Sequence, residues 1–166
     1  MKKHLTVLLF LFITLSTFSQ DKFSFPTDSD SKTIEYKLPG RDQEEVFDYV
    51  FEWSQKHYSD PRVAVSEDLS NKIINIDGSF YMTFNKEVKN FRDLNVYNSI
   101  YKLVIECYDE KYIIHYTHLK FILKGETISL TLKEIQDNPT IFGDWLENYE
   151  YRVQELLSSL YKFGQE

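Results

Sequence analysis

A long apolar stripe near the C-terminus restricts the fold of this chain more than any other feature of its sequence. Asn138 and Pro139 supply a helix N-cap and a first helical residue whose missing N–H costs nothing there. Apolar residues then recur every three or four positions, at Ile141, Trp145, Tyr149, Val153, Leu156 and Leu160. Such a helix is stable only when another surface covers its stripe. A sheet of the same domain is the surface we favour, and a coiled-coil partner is the alternative.

Alternating patterns upstream predict that sheet. Residues 33–38 alternate polar and apolar and end at Pro39-Gly40, which is typical of a half-buried strand. The same alternation predicts strands at 63–65, 74–84, 101–107 and 128–132, and residues 112–123, which are apolar on both parities for much of their length, predict another. Gly78 predicts a bulge or a close approach within the second of these. Short turns between successive strands favour an antiparallel meander.

A first helix is predicted between the opening strand and the meander. Asp42 and Glu45 have the spacing of a capping box, and an apolar face extends from Val46 to about His57. The order of elements predicts an α+β fold of two layers, β-α-β4/5-α. A curved antiparallel sheet of about five to six strands carries two helices on one face. The other face is then solvated or forms a binding surface.

Residues 1–19 have the layout of a cleavable secretory signal. Lys2 and Lys3 precede an apolar run over 5–15, and small residues frame a cut near Ser19/Gln20. The run is too short to cross a bilayer core of about 30 Å. We therefore expect export, with the mature protein periplasmic or extracellular and without a transmembrane segment.

The mature chain is predicted to hold a flexible leader and one domain. Residues 20–32 are polar and contain Pro26, so they are typical of a mobile segment, in which Phe23 and Phe25 are candidates for a short edge strand. Residues 33–163 form the single domain, whose length suits one hydrophobic core.

Charge and cysteine content exclude several classes of function. The predicted signal holds two of the 19 basic residues and none of the 26 acidic ones, so the mature net charge is −9 rather than −7. Such a charge disfavours nucleic acid and anionic lipid. Cys107 is the only cysteine, so no internal disulfide forms, and its apolar strand context predicts a small buried hydrophobe.

No catalytic or cofactor motif occurs in the sequence. The HExxH, paired CxxC, GxSxG, Walker and GxGxxG patterns are all missing, and we predict no catalytic residue, metal or cofactor. His115 and His118 lie three apart on a strand, so they point to opposite faces and cannot chelate one metal together.

One group of residues is a candidate binding surface. If Ile74, Leu103 and Cys107 face the helices, the opposite parity places polar and aromatic side chains on the open face. With Tyr97 from the loop over 85–98, the candidate surface is Asn75, Asp77, Tyr81, Tyr97, Lys102, Glu106 and His115. An ordinary solvated face with cross-strand charge pairs is the simpler interpretation.

At the level of pattern, the chain resembles the domain-of-unknown-function family 4468, small exported proteins of Gram-negative bacteria with a fold like the TATA-binding protein. The resemblance covers roughly 33–123. It rests on the opening strand, the helix carrying Trp53, the hairpin over 71–74 that leads to Gly78, and the paired strands over 101–108 and 112–119. It implies the fold and export, but neither an activity nor DNA binding.

Three functions remain as hypotheses. The first is a non-enzymatic binding or accessory module of the cell envelope, which uses the open face and has an envelope protein or glycan as its partner. The second is a carrier of a small apolar ligand between the sheet and the C-terminal helix. The third is a hydrolase that uses Asp77, Glu106 and His115.

Overall fold

The computed structural model describes residues 22–83, 96–123, 126–128 and 131–163. Its strands are β1 Ser31–Lys37, β2 Val65–Asp68, β3 Ile73–Thr83, β4 Val96–Tyr108, β5 Lys111–Leu123 and β6 Glu126–Ile128. Its helices are α1 Gln43–His57, α2 Pro61–Ala64, α3 Leu132–Gln136 and α4 Pro139–Phe163. The predicted α+β class is confirmed.

The strands form one antiparallel sheet in the order β1-β5-β4-β3-β2. Strands β2 to β5 are the predicted meander. Strand β1, first in the sequence, pairs with residues 111–117 of β5, and β6 pairs with residues 121–123 at the other end of the same strand. The longest strands, β4 and β5, therefore lie in the interior of the sheet.

One face of the sheet is buried beneath α1 and α4. On each long strand the side chains alternate between a buried and a more exposed face, and the residues that face the helices are almost fully buried: Ile74, Ile76, Leu103, Ile105, Cys107, Tyr112, Ile114 and Tyr116. Burying an aliphatic side chain of this size contributes about 2 kcal/mol. The C-terminal stripe covers this sheet, as we favoured over a coiled-coil partner.

Both long helices begin at their predicted caps. The Glu45 N–H donates to Asp42 Oδ1 at 2.9 Å, and the Asp42 N–H donates to Glu45 Oε2 at 3.0 Å, which completes the capping box. Helix α4 begins at Pro139, and the Phe142 N–H donates to the Asn138 carbonyl at 3.0 Å. Helix ends of this kind can be found in a sequence because the signal is local.

Helix replaces part of two predicted strand segments. In the segment predicted over 63–65, residues 63–64 are helical and Val65 begins β2. In the segment predicted over 128–132, Ile128 is the last residue of β6, residues 129–130 lie outside the described residues, and α3 begins at Leu132 behind a Thr131–Glu134 capping box. Leu132 is buried, so the alternation indicated its burial correctly. Its backbone is helical because the capping box begins a helix at this position. Residues 61–64 form the short helix α2, because Pro61 suits a first helical turn.

The N-terminal segment differs from the predicted flexible leader. Phe23 and Phe25 are only 3% and 7% exposed, and neither lies in a strand. Strand β1 begins at Ser31, ahead of the predicted domain start at 33. The polar composition of this segment gave no sign that it packs on the domain, because the burial of two aromatic rings is enough to anchor it.

Gly78 is a close-approach position, as predicted. A Cβ built there would overlap the ring of Tyr101, which lies opposite on β4. The irregularity in strand pairing lies one strand further on, where the partner of β4 changes from Lys120 to His118 and leaves Leu119 as an extra residue in β5.

We expect Gly78→Ala to lower the free energy of unfolding by about 2 kcal/mol, because the Tyr101 ring must move to admit a methyl group. Gly143→Ala is the matched control, since a Cβ there meets nothing within 4 Å and lies within α4. It should raise stability by about 1 kcal/mol through helix propensity. Urea denaturation measures both, and an unchanged midpoint for Gly78→Ala would contradict the packing described.

Candidate functional site

The face of the sheet opposite the helices carries most of the residues predicted as a binding surface. Asn75, Asp77 and Tyr81 lie on β3, and their exposure alternates with that of the buried residues. Lys102 and Glu106 on β4 and His115 on β5 follow the same alternation. The structure therefore brings six of the seven residues to this open face.

Tyr97 does not share that alternation. It lies in β4 opposite Met82, at a position of the parity that holds Ser99 and Tyr101. Its side chain and residues 85–95 of the predicted loop lie outside the described residues, while residues 96–98 of that loop belong to β4.

A hydrogen-bonded group at His115 is the most ordered part of the open face. Its Nδ1 lies 3.0 Å from Thr33 Oγ1, and its Nε2 lies 3.5 Å from Glu106 Oε1. The Tyr108 hydroxyl donates to Glu106 Oε2 at 2.6 Å. We name Thr33, Glu106, Tyr108 and His115 the His115 group; it links β1, β4 and β5.

Strand register places these side chains together. Thr33 and His115 are direct partners across β1 and β5. The flanking bonds from Leu38 N–H to Glu110 O and from His118 N–H to Asp30 O belong to the alternate pairs. Thr33 and His115 therefore form a non-hydrogen-bonded pair, in which facing side chains lie closest. The sequence did not indicate Thr33, because its partner strand is distant along the chain.

The arrangement places an imidazole between a hydroxyl and a carboxylate. With the ring neutral and its proton on Nε2, Nδ1 can accept the Thr33 hydroxyl proton while Nε2–H points toward Glu106. Asp77 is the third residue of the predicted hydrolase site. It lies on β3 opposite Lys102, two strands away from His115 on β5. The hydrolase hypothesis needed all three residues to converge, and only Glu106 and His115 do.

Apolar side chains occupy one end of the open face. Tyr81 is 75% exposed and Leu119 is 51% exposed, while Ile100 and Ile122 are half-buried. Tyr81 and Ile122 flank Asn98 in one register row, and Ile100 lies opposite Lys120 in the next. We name Tyr81, Ile100, Leu119 and Ile122 the apolar patch. The bulge that exposes Leu119 has no signal in the sequence.

His118 belongs to the opposite, buried face, as predicted. Its Nδ1 lies 2.9 Å from the Tyr149 hydroxyl and 3.3 Å from Ser99 Oγ, and its ring stacks on Phe121 at 3.9 Å. Its Nε2 has no hydrogen-bond partner among the described residues. Burial lowers the pKa of His118 to about 4, because a charged imidazole is poorly solvated between the sheet and α4.

Cys107 is buried, as predicted, and burial raises the pKa of its thiol to about 12. The thiol therefore stays protonated and unreactive at neutral pH. Within the described parts of the chain, no group of three or more His, Cys, Asp or Glu residues could hold a metal ion. None of the described helices is both long and apolar enough to cross a membrane.

A groove of about 690 Å³ lies between α1 and the end of α4. Charged side chains line most of it: Arg41, Glu45, Asp48, Glu52 and Lys56, with Tyr49 and Phe163. Arg41 lies over the Tyr49 ring at 5.0 Å, and Lys56 lies over the Phe163 ring at 4.8 Å. These cations are already matched to aromatic faces within the chain.

Comparison with known proteins agrees with this architecture. The sequence pattern of DUF4468, a domain of unknown function with a TBP-like fold, matches residues 32–122. The chain belongs to the DUF4468 family. The match covers β1 to most of β5 and includes the His115 group.

Two crystal structures share the fold of this DUF4468 protein. A TBP-like protein from Parabacteroides distasonis ATCC 8503 has a TM-score of 0.64 at 13% identity, with 88% of this chain and 99% of that chain covered. A DUF4468 family protein from Bacteroides ovatus ATCC 8483 has a TM-score of 0.67 at 10% identity, with 87% and 91% covered. At these identities the likeness concerns the fold alone. No curated protein matches the chain.

We expect His118 to make the protein sensitive to acid. In the unfolded chain, His118 takes up a proton as pH falls below its ordinary pKa of 6.5. In the folded chain it does so only near pH 4. Stability is therefore lost as pH falls from 6.5 to 4, by about 3 kcal/mol. Denaturation of the wild type and of His118→Phe at several pH values across this range measures how much of the free energy of unfolding is lost. An equal slope for the wild type and for His118→Phe would contradict the prediction.

Proposed function

We propose that this DUF4468 protein is an exported, non-enzymatic binding module of the cell envelope that contacts another protein through its open sheet face. The observation that carries the proposal is Tyr81, a large aromatic side chain left 75% exposed beside aliphatic residues of the apolar patch. Export is supported by the signal-like layout of residues 1–19.

The composition of the open face supports a protein interface. Cores of such interfaces are rich in aromatic and aliphatic side chains, and their rims are polar. The apolar patch and the His115 group supply these two parts on one face, with the register row of Asp77, Lys102 and Thr117 between them. A tyrosine on a paired strand also loses little conformational freedom on binding, because its backbone is already fixed.

The chemistry of the patch favours a polypeptide over a glycan. Tyr81 offers a plane on which a sugar could stack, but its neighbours Ile100, Leu119 and Ile122 are branched aliphatic residues. Such side chains gain most from burial against other apolar side chains, which a protein surface provides.

We expect Tyr81→Ala to weaken partner capture about tenfold or more, as for residues near the centre of an interface. Its free energy of unfolding should change by only about 0.5 kcal/mol, because the ring is exposed. The measurement is cross-linking of the tagged mature chain to the native envelope, followed by titration of the purified partner. Tyr151→Ala is the matched control, since Tyr151 is 57% exposed on α4 in the other layer.

The outcomes separate the possibilities. Loss of capture by Tyr81→Ala but not by Tyr151→Ala supports the assignment of the face. Capture by Tyr81→Ala that is as strong as capture by Tyr151→Ala overturns the assignment. Protease treatment of the envelope before cross-linking should abolish capture, and capture that survives it would identify a glycan instead.

A further inference from the structure

Residues 22–30, which we name the strap, lie across the groove between α4 and β5 on the helix side of the sheet. The strap forms no strand, and Phe23 and Phe25 are its only aromatic residues. Both rings are buried, while Ser24 between them is exposed. An extended segment directs alternate side chains to opposite sides, which accounts for this pattern.

Side chains of α4 bind the backbone of the strap. The Phe23 N–H donates to Gln154 Oε1 at 2.7 Å, and the Phe25 N–H donates to Glu150 Oε1 at 2.8 Å. Two residues of extended chain advance about 6.6 Å. Four residues of helix advance about 6 Å, so successive amides of one parity match successive turns of α4.

The two rings occupy an aromatic groove. Phe25 stacks on Tyr149 with 5.6 Å between ring centroids and 9° between planes. Phe23 meets Tyr116 edge-on at 5.9 Å, and the two phenylalanine rings contact each other at 4.9 Å. The walls of this groove come from β5 and α4.

Polar contacts hold the strap at both ends. Lys22 Nζ lies 2.9 Å from Glu147 Oε1, and Lys32 Nζ donates to the Ser24 carbonyl at 2.7 Å. The Gln136 side chain donates to the Pro26 carbonyl at 3.2 Å. Pro26 has no N–H, so this position of the strap offers no amide that needs a partner.

We propose that this groove is a peptide-recognition site, occupied in the same chain by the strap, for an extended segment with aromatic side chains at alternate positions. The strap is held as a bound peptide would be: two aromatic rings are buried in the groove, and two backbone N–H groups donate to side chains of α4. Only its last residue joins the sheet, where the Asp30 carbonyl accepts the His118 N–H at 2.8 Å and extends the β1–β5 ladder by one pair. The surface is distinct from the open face, so the proposal does not rest on the one above.

Tethering should prevent an external peptide from displacing the strap readily. A segment joined to its site by a few residues acts at an effective concentration in the millimolar range. A free peptide of equal affinity therefore competes only when the anchoring rings of the strap are removed. The test requires a variant that empties the groove without altering its walls.

The probe is a fluorescein-labelled peptide with the sequence of residues 22–30, KFSFPTDSD. We expect it to bind the mature chain carrying Phe23→Ala and Phe25→Ala at least about tenfold more tightly than the wild type, by fluorescence anisotropy. A peptide with both phenylalanines replaced by serine is the control and should bind neither protein. Leu69→Ala, at an exposed position in the turn between β2 and β3, should behave as the wild type.

Circular dichroism and thermal unfolding establish that each variant is folded. If the double variant does not fold, Phe23→Ala alone keeps the Phe25–Tyr149 stack and should show a smaller gain in peptide binding. A folded variant that binds no better than the wild type overturns the proposal, as does equal binding of the serine peptide. Failure of both variants to fold would also overturn it, because the strap would then be part of the core.

Discussion

Tyr116 on β5 and Tyr149 on α4 are fully buried, and their hydroxyl oxygens lie 2.7 Å apart. Burial raises the pKa of both phenols, which keeps each one neutral and able to donate. A phenol buried without a partner costs free energy, so the sheet and α4 can close only in the register that pairs these two groups. The positions of His118, Phe25 and Phe23 all follow from this contact.

The same packing divides the sheet into two unlike faces. The inner face holds stacked rings, among them Tyr101 against Tyr116 at 5.3 Å and Phe80 against Tyr101 at 4.6 Å. The Tyr101 hydroxyl in turn lies 3.0 Å from that of Tyr58, just beyond α1. The helices and the buried aromatic residues lie on one side of the sheet. The other side presents side chains whose positions are fixed by strand register.

Local signals made much of this architecture predictable. The Asp42–Glu45 box and the Asn138-Pro139 pair marked both long helices, and alternation marked which residues of β1, β3 and β4 face the helices. The same reasoning was wrong at Leu132, where alternation predicted a strand and a Thr131–Glu134 capping box begins a helix instead. It was wrong again at the strap, because the partners of Phe23 and Phe25 lie on β5 and α4, more than ninety residues away along the chain.

Local patterns were sufficient to predict the α+β class, the helix caps, the inward parity of β1, β3 and β4, and a signal-like N-terminus. These depend on periodicity and on residues within a few positions of one another. Three features appear only once the chain is folded: Thr33 reaches His115, a bulge exposes Leu119 on the open face, and residues 22–30 fill an aromatic groove. Each of these features arises from the register and closure of distant elements, which no local pattern records.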